Sequence, residues 1–203
     1  MPPLAVAWDV DGTLVDSEPV HLAALIAVSA RYGIDLSHDR EDRFLGMHLG
    51  AVWAAMSPHY PPSLTMDDWV AQILAEYNVH VRDIIVIPQM LDALHRLHEL
   101  GVPQVCVSNS ERPIVDINIR MLGIENLLRF SISRDDVTAG KPDPEPYREA
   151  CRRLGFEPHN VLAVEDSETG LLSATAAGLQ AVKISLENAD DFAHAILHRF
   201  AVA

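Results

Sequence analysis

The chain has 203 residues, 49% of them apolar and 22% charged, with a formal net charge of −14. That composition suits one sizeable core plus a small inserted domain and excludes a disordered chain. The negative balance excludes broad nucleic-acid binding, because phosphate backbones are gripped by clustered Lys and Arg. No apolar run approaches the roughly 18 residues a membrane helix needs, and Met1-Pro2-Pro3 lacks a charged leader, so the protein is expected in the cytoplasm with no membrane partner.

In chain order, Ala5-Val6-Ala7-Trp8 is a short apolar run ending in an acidic turn, Asp9-Val10-Asp11-Gly12-Thr13. It reads as a buried strand with polar groups at its carboxyl end. Residues 17–87 then read as helix after helix, with Leu22, Leu25 and Ile26, and later Trp69, Val70, Ile73, Leu74 and Tyr77, at helical spacing and no strand in view. This predicts a helical cap over 17–87, inserted into a core formed by 1–16 and 88–203, with hinges near Asp16 and Pro88. The other reading is that these helices flank the sheet.

The core resumes with Leu91, Leu94, Leu97 and Leu100 on one helical face closed by Gly101, and with a helix over 114–122 opened by Pro113 and closed by Gly123. Residues 102–107 and 161–164 repeat the strand design, leading into Ser108-Asn109-Ser110 and Glu165-Asp166-Ser167. Strands alternating with helices imply an α/β fold with a parallel sheet. Ligands of such sheets bind beyond the carboxyl ends of the strands, where all three polar clusters would meet. Cys106 and Cys151 are far apart without metal-ligand spacing and are expected as buried free thiols. Only two lysines occur, Lys141 and Lys183. An acidic protein handling an anion must place its positive charge locally, which draws attention to Lys141.

Two carboxylates two residues apart after a strand are costly unless a cation or a proton-transfer task needs them. The stretch from Asp9 to Ser17, DVDGTLVDS, resembles the D-x-D-G-T-L-x-D-S signature of haloacid dehalogenase superfamily phosphatases and phosphomutases. Ser108-Asn109, Lys141-Pro142-Asp143-Pro144 and Glu165-Asp166-Ser167 follow in the order of that family's other motifs. The resemblance implies a Rossmann-like three-layer core with a helical cap. It makes Asp9 the nucleophile that forms an aspartyl-phosphate. Asp11 becomes the general acid and base, its backbone carbonyl facing the metal. Ser108 and Lys141 become partners of the transferring phosphoryl group. Mg²⁺ would be held by Asp9, Asp11 and Asp166, with Glu165 as a further ligand or close partner. Asn109, His21 and Arg43 are the expected substrate contacts, with His48 and Trp53 as further cap candidates. Each has an ordinary reading too: Ser108-Asn109-Ser110 before Glu111-Arg112-Pro113 is a common helix start, Lys141 could be a surface lysine in a Pro-rich turn, and His21 could lie on a helix surface. Residues 143–147 read as turn and first helical turn.

Branches of the family separate on particular residues. Its dehalogenases lack the second aspartate of the first motif, so Asp11 argues for phosphoryl transfer. Its phosphonate hydrolases form a Schiff base on a cap lysine, and no lysine lies between residues 1 and 140. Its mutases usually carry an arginine in a cap stretch where this chain has Gly46-Met47-His48-Leu49-Gly50. The expected activity is therefore hydrolysis of a small phosphate monoester, a sugar phosphate or similar metabolite. A β-phosphoglucomutase-like mutase and a non-catalytic phosphate-ligand binding protein are the alternatives.

Overall fold

The computed structural model describes residues 2–36, 44, 47–185, 187 and 189–200. Five parallel strands form the central sheet in the order β5-β4-β1-β6-β7: β1 (Ala5–Trp8), β4 (Gln104–Val107), β5 (Ser131–Ile132), β6 (Val161–Glu165) and β7 (Gln180–Lys183). The register aligns Ala7 with Val105 on one side and Ala163 on the other. β1, β4 and β6 are buried along their whole length, which explains why they read as apolar runs, interrupted only by Gln104 and Glu165 at strand ends, and not as alternating ones.

The strands alternate between two covered faces. Ala5, Ala7, Val105, Val107, Val161 and Ala163 pack against α6 (Glu145–Leu154) and α7 (Glu168–Ala177) through Tyr147, Ala150, Cys151, Ala174 and Ala177. On the opposite face, buried Gln104 accepts from the Trp8 indole at 2.9 Å and donates to the Leu94 carbonyl of α4 (Pro88–Glu99) at 3.0 Å, so this polar residue is satisfied within the core. α4 packs on α8 (Ala189–Phe200), which completes the three layers. α4 starts at a proline and buries Met90, Ala93, Leu94 and Leu97, the i, i+3, i+4, i+7 stripe of an amphipathic helix. α5 (Arg112–Leu122) ends at Gly123, whose φ of 69° supplies the left-handed cap. Cys106 and Cys151 are buried and free.

The chain divides into two compact units, one of Met1–Asp16 with Val86–Ala203 and one of Ser17–Ile85. The second unit contains α1 (Glu18–Arg31), α2 (Leu49–Met56) and α3 (Met66–Val79). α1 and α3 pack together, burying Val20, Ala24, Leu25 and Val28 with Trp69, Ile73 and Tyr77. At the division, β2 (Val15–Asp16) pairs with β3 (Ile85–Val86). β3 corrects the expectation of helices alone up to residue 87; a strand of two residues is too short to show alternation in sequence. No helix among the described residues is long and apolar enough to cross a membrane.

Candidate active site

The site grows from the carboxyl ends of β1, β4 and β6, within the first unit. Asp9 follows β1 directly, and its amide donates to the Val164 carbonyl of β6 at 2.9 Å, which holds the loop start against the neighbouring strand. The chain then turns tightly on Val10, whose carbonyl accepts from Leu14 and Val15. Gly12 makes this turn with φ at 87°. A Cβ there would lie within 2.5 Å of Asp166 Cγ, so glycine is needed both for the backbone and for the approach of the second carboxylate. Asp9 is 6% exposed. One of its oxygens accepts from the Thr13 hydroxyl at 3.0 Å and the other from Lys141 Nζ at 2.6 Å.

Lys141 is 8% exposed and donates all three ammonium protons, to Asp9, to Glu165 Oε1 at 2.6 Å and to the Val107 carbonyl at 2.8 Å. The surface-lysine reading therefore fails. Burial by itself would lower the Lys141 ammonium, but the Asp9 and Glu165 carboxylates carry it above its ordinary value, so it stays charged. Its loop is held by Asn109, whose amide donates to the Lys141 carbonyl at 3.0 Å and accepts from the Lys141 amide at 2.7 Å. Asn109, expected as a substrate contact, thus uses both polar atoms of its side chain on the Lys141 backbone. Glu165, at the end of β6, is fully buried. Its Oε1 also accepts from the Tyr147 hydroxyl. Its Oε2 has no hydrogen-bond partner among the described residues and packs on Gly170 in the first turn of α7, where any Cβ would collide with the carboxylate.

Asp11 faces a different set of donors. Its Oδ2 accepts from the Ser108 hydroxyl at 3.1 Å and the Ser110 hydroxyl at 2.8 Å, and its Oδ1 from the Asn118 amide at 3.1 Å. Ser108 Oγ in turn accepts from the Ser110 amide at 3.0 Å. Sequence reasoning assigned no role to Thr13, Ser110, Asn118 or Tyr147. Asn118 had a legible signal, a lone polar residue on the stripe Ile114, Val115, Asn118, Ile119 that α5 buries. Tyr147 had none, since an aromatic in the first turn of a helix is ordinarily a packing residue.

Asp9, Glu165 and Asp166 each offer a carboxylate oxygen, all within 4.8 Å of one another. Lys141 sets one positive charge against three carboxylates. Burial, the Glu165 charge and the Asp11 charge push Asp9 from 3.8 up to about 7, with Lys141 opposing. Burial and the Asp9 charge likewise push Asp166 from 3.8 to about 7. An all-oxygen donor set with surplus negative charge suits a hard divalent cation and not a thiolate or imidazole metal. The unpaired Glu165 Oε2 and the conditionally protonated pair of aspartates fit the same group. Of the other expected residues, His21 and Trp53 lie in the second unit, where His21 packs on Tyr77 at 4.7 Å and Trp53 stacks on Tyr60 at 5.9 Å. His48 is exposed and immediately precedes α2, with no side-chain capping hydrogen bond to it. Arg43 lies outside the described residues.

The model of the haloacid dehalogenase-like hydrolases matches residues 6–184, a span that holds every residue of this cluster. The chain belongs to that family. Along most of its length it is similar to phosphatases: it is 30% identical to a phosphoglycolate phosphatase of Rhodobacter capsulatus, covering 86% of this chain and 81% of that protein. It is 29% identical to the validoxylamine A 7′-phosphate phosphatase of Streptomyces hygroscopicus subsp. limoneus, covering 88% and 84%. Among solved structures it resembles CbbY from Rhodobacter sphaeroides in complex with phosphate, with a TM-score of 0.81 and 26% identity, covering 91% of this chain and 87% of that one.

Proposed function

We propose that this haloacid dehalogenase-like hydrolase is a Mg²⁺-dependent phosphatase of small phosphate monoesters, sugar phosphates or similar metabolites, acting through an aspartyl-phosphate on Asp9. The observation that carries the reading is the state of Asp9: a buried carboxylate at the end of β1, fixed by Thr13 and Lys141 and placed in one group with Glu165 and Asp166. A carboxylate so fixed has its attacking geometry set before substrate arrives, which is where proximity gives most of its rate. The free buried thiols favour a reducing compartment and hence the cytoplasm.

In the proposed reaction an Asp9 oxygen attacks phosphorus, and the bond from phosphorus to the ester oxygen breaks. Asp11 gives its proton to the departing oxygen. It then takes a proton from water, whose oxygen attacks the phosphoryl group and returns Asp9 as a free carboxylate with inorganic phosphate. Asp11 must let go of Ser108 for this, because the single proton of the Ser108 hydroxyl cannot serve both Asp11 and a phosphoryl oxygen. Lys141, with all its donors taken inside the cluster, acts here by holding Asp9 ionised and oriented. Asp9, Asp166 and Glu165 would hold the Mg²⁺, whose charge offsets the repulsion between the anionic nucleophile and the anionic phosphoryl group. The second unit, as cap, would read the remainder of the substrate.

The test is phosphate release from a panel of small esters that includes hexose phosphates and phosphoglycolate, with and without Mg²⁺, for the wild type and Asp9→Asn. Release that requires both the metal and Asp9 supports the reading, with the variant slower by at least about 10³-fold. Isomerisation of β-glucose 1-phosphate with a bisphosphate primer, and no net hydrolysis, would put a phosphomutase in its place.

A further inference from the structure

We propose that Tyr147 is a positioning residue for catalysis, acting on Asp9 through Glu165 and Lys141. The inference rests on Asp9 being the nucleophile. Tyr147 is in the first turn of α6, fully buried, and packs in the core cluster beneath the sheet. A core position asks only for a ring, and phenylalanine would fill it. The hydroxyl is what needs explaining, since a buried polar group is costly unless it is paired.

Its partner is Glu165 Oε1, the same oxygen that accepts from Lys141 Nζ. A carboxylate can only accept, so the tyrosine is the donor. The Tyr147 ring also lies under Lys141, with Nζ 5.3 Å from its centroid, within reach of a cation–π attraction. One residue therefore touches both members of the pair that orients Asp9. The other oxygen, Oε2, has no hydrogen-bond partner among the described residues, so the hydrogen bonds seen at this carboxylate converge on Oε1. Without the Tyr147 hydroxyl, Lys141 would be the one donor to Oε1 among the hydrogen bonds seen at this carboxylate. The position of Oε1 would then be set by Lys141 alone, and Lys141 would lose the independently fixed acceptor that aims a second proton at Asp9. The chain is Tyr147 to Glu165 to Lys141 to Asp9, every link a charge-assisted hydrogen bond.

The sequence makes the network unusually easy to observe. With two lysines in the protein, lysine-selective ¹⁵N labelling yields one buried ammonium, Lys141, and one, Lys183, whose side chain is 39% exposed. In the wild type the Lys141 ammonium protons should exchange slowly and show cross-relaxation with the Tyr147 hydroxyl proton. Absence of that contact overturns the inference without relying on any variant. In Tyr147→Phe, the Lys141 ammonium signal should shift and its protons exchange at least about tenfold faster. With p-nitrophenyl phosphate, kcat should fall by about tenfold or more with KM unchanged. In a Glu165→Gln background, Tyr147→Phe should add no further loss, because the two act as one unit. An unchanged Lys141 signal in the folded variant, equal losses in KM, or additive losses in the double variant would each overturn it, since those are the marks of a packing role. Hydrolysis that survives Asp9→Asn would instead sink the proposed function and the catalytic half of this inference, leaving the Lys141 to Tyr147 contact intact.

Discussion

Asp9 and Asp166 are where the residue scale bears most directly on behaviour. Both carboxyls are carried from 3.8 to about 7, Asp9 by burial and Glu165, Asp166 by burial and Asp9. A raised carboxyl binds its proton more tightly folded than unfolded, so the stability from these groups is complete below pH 3.8, declines as pH rises, and is gone above about pH 7. Protons and a divalent cation compete for the same oxygens. The rise in Tm on adding Mg²⁺ should accordingly be larger at about pH 8 than at about pH 5, as thermal unfolding in the presence and absence of a chelator will show; an equal rise at both would contradict it. Gly170 supplies a second prediction. Its missing Cβ is what admits Glu165, and Gly170→Ala should destabilise by at least about 1–3 kcal/mol, the usual cost of overpacking a closed site. Urea unfolding measures this, and a neutral result would mean that Glu165 has room to move.

Among the elements, the turns that deliver the site residues are held by a few side chains. α7 begins at Ser167, whose hydroxyl accepts from the Gly170 amide at 3.0 Å. Ser167→Ala should cost about 1 kcal/mol of stability, as loss of a helix N-cap commonly does, and chemical denaturation will read it. The Lys141 loop depends on Asn109 in the same way, with two hydrogen bonds between one amide side chain and one backbone unit. Gly140 lets that side chain approach, since a Cβ on it would stand 2.6 Å from Asn109 Oδ1. Asn109→Ala is expected to lower kcat by about tenfold while leaving KM for p-nitrophenyl phosphate within about twofold. A loss confined to KM would return Asn109 to the role of substrate contact.

For the whole molecule, the division into two units gathers the candidate site residues. Asp9, Asp11, Ser108, Lys141, Glu165 and Asp166 all belong to the unit made of Met1–Asp16 and Val86–Ala203. β2 and β3 pair side by side at the division, so a short flexible linker can join Asp16 to Val86. A chain lacking residues 17–85 should keep its Mg²⁺-dependent rise in Tm, yet hydrolyse the esters of a substrate panel with less discrimination than the intact protein. Loss of the Mg²⁺ response in a folded core would show that the second unit completes the cation site.

The sequence by itself determined the alternation of strands and helices and the three polar clusters at strand ends, because apolar runs, terminal Gly and Pro, and paired carboxylates are local features. Asp9 and Asp11 were legible since two carboxylates after a strand are expensive unless they have a chemical task, and Ser108, Lys141 and Asp166 were legible from their order in the family's motifs. The two-residue strands β3 and β5 were not, having too few positions to show a period. Nor could the sequence state what the charged groups hold. Lys141 reaches Asp9 across 132 positions, and Asn118 reaches Asp11 across 107. Only the parallel sheet, by aligning the ends of β1, β4 and β6, brings such residues within hydrogen-bonding distance. That alignment directs the three protons of Lys141 and joins Tyr147 to Glu165. It also crowds three carboxylates, and burial with like charge carries Asp9 and Asp166 up to about 7. Burial and close approach of like charges are properties of the folded chain, and both arise from contacts between segments that the linear sequence keeps apart.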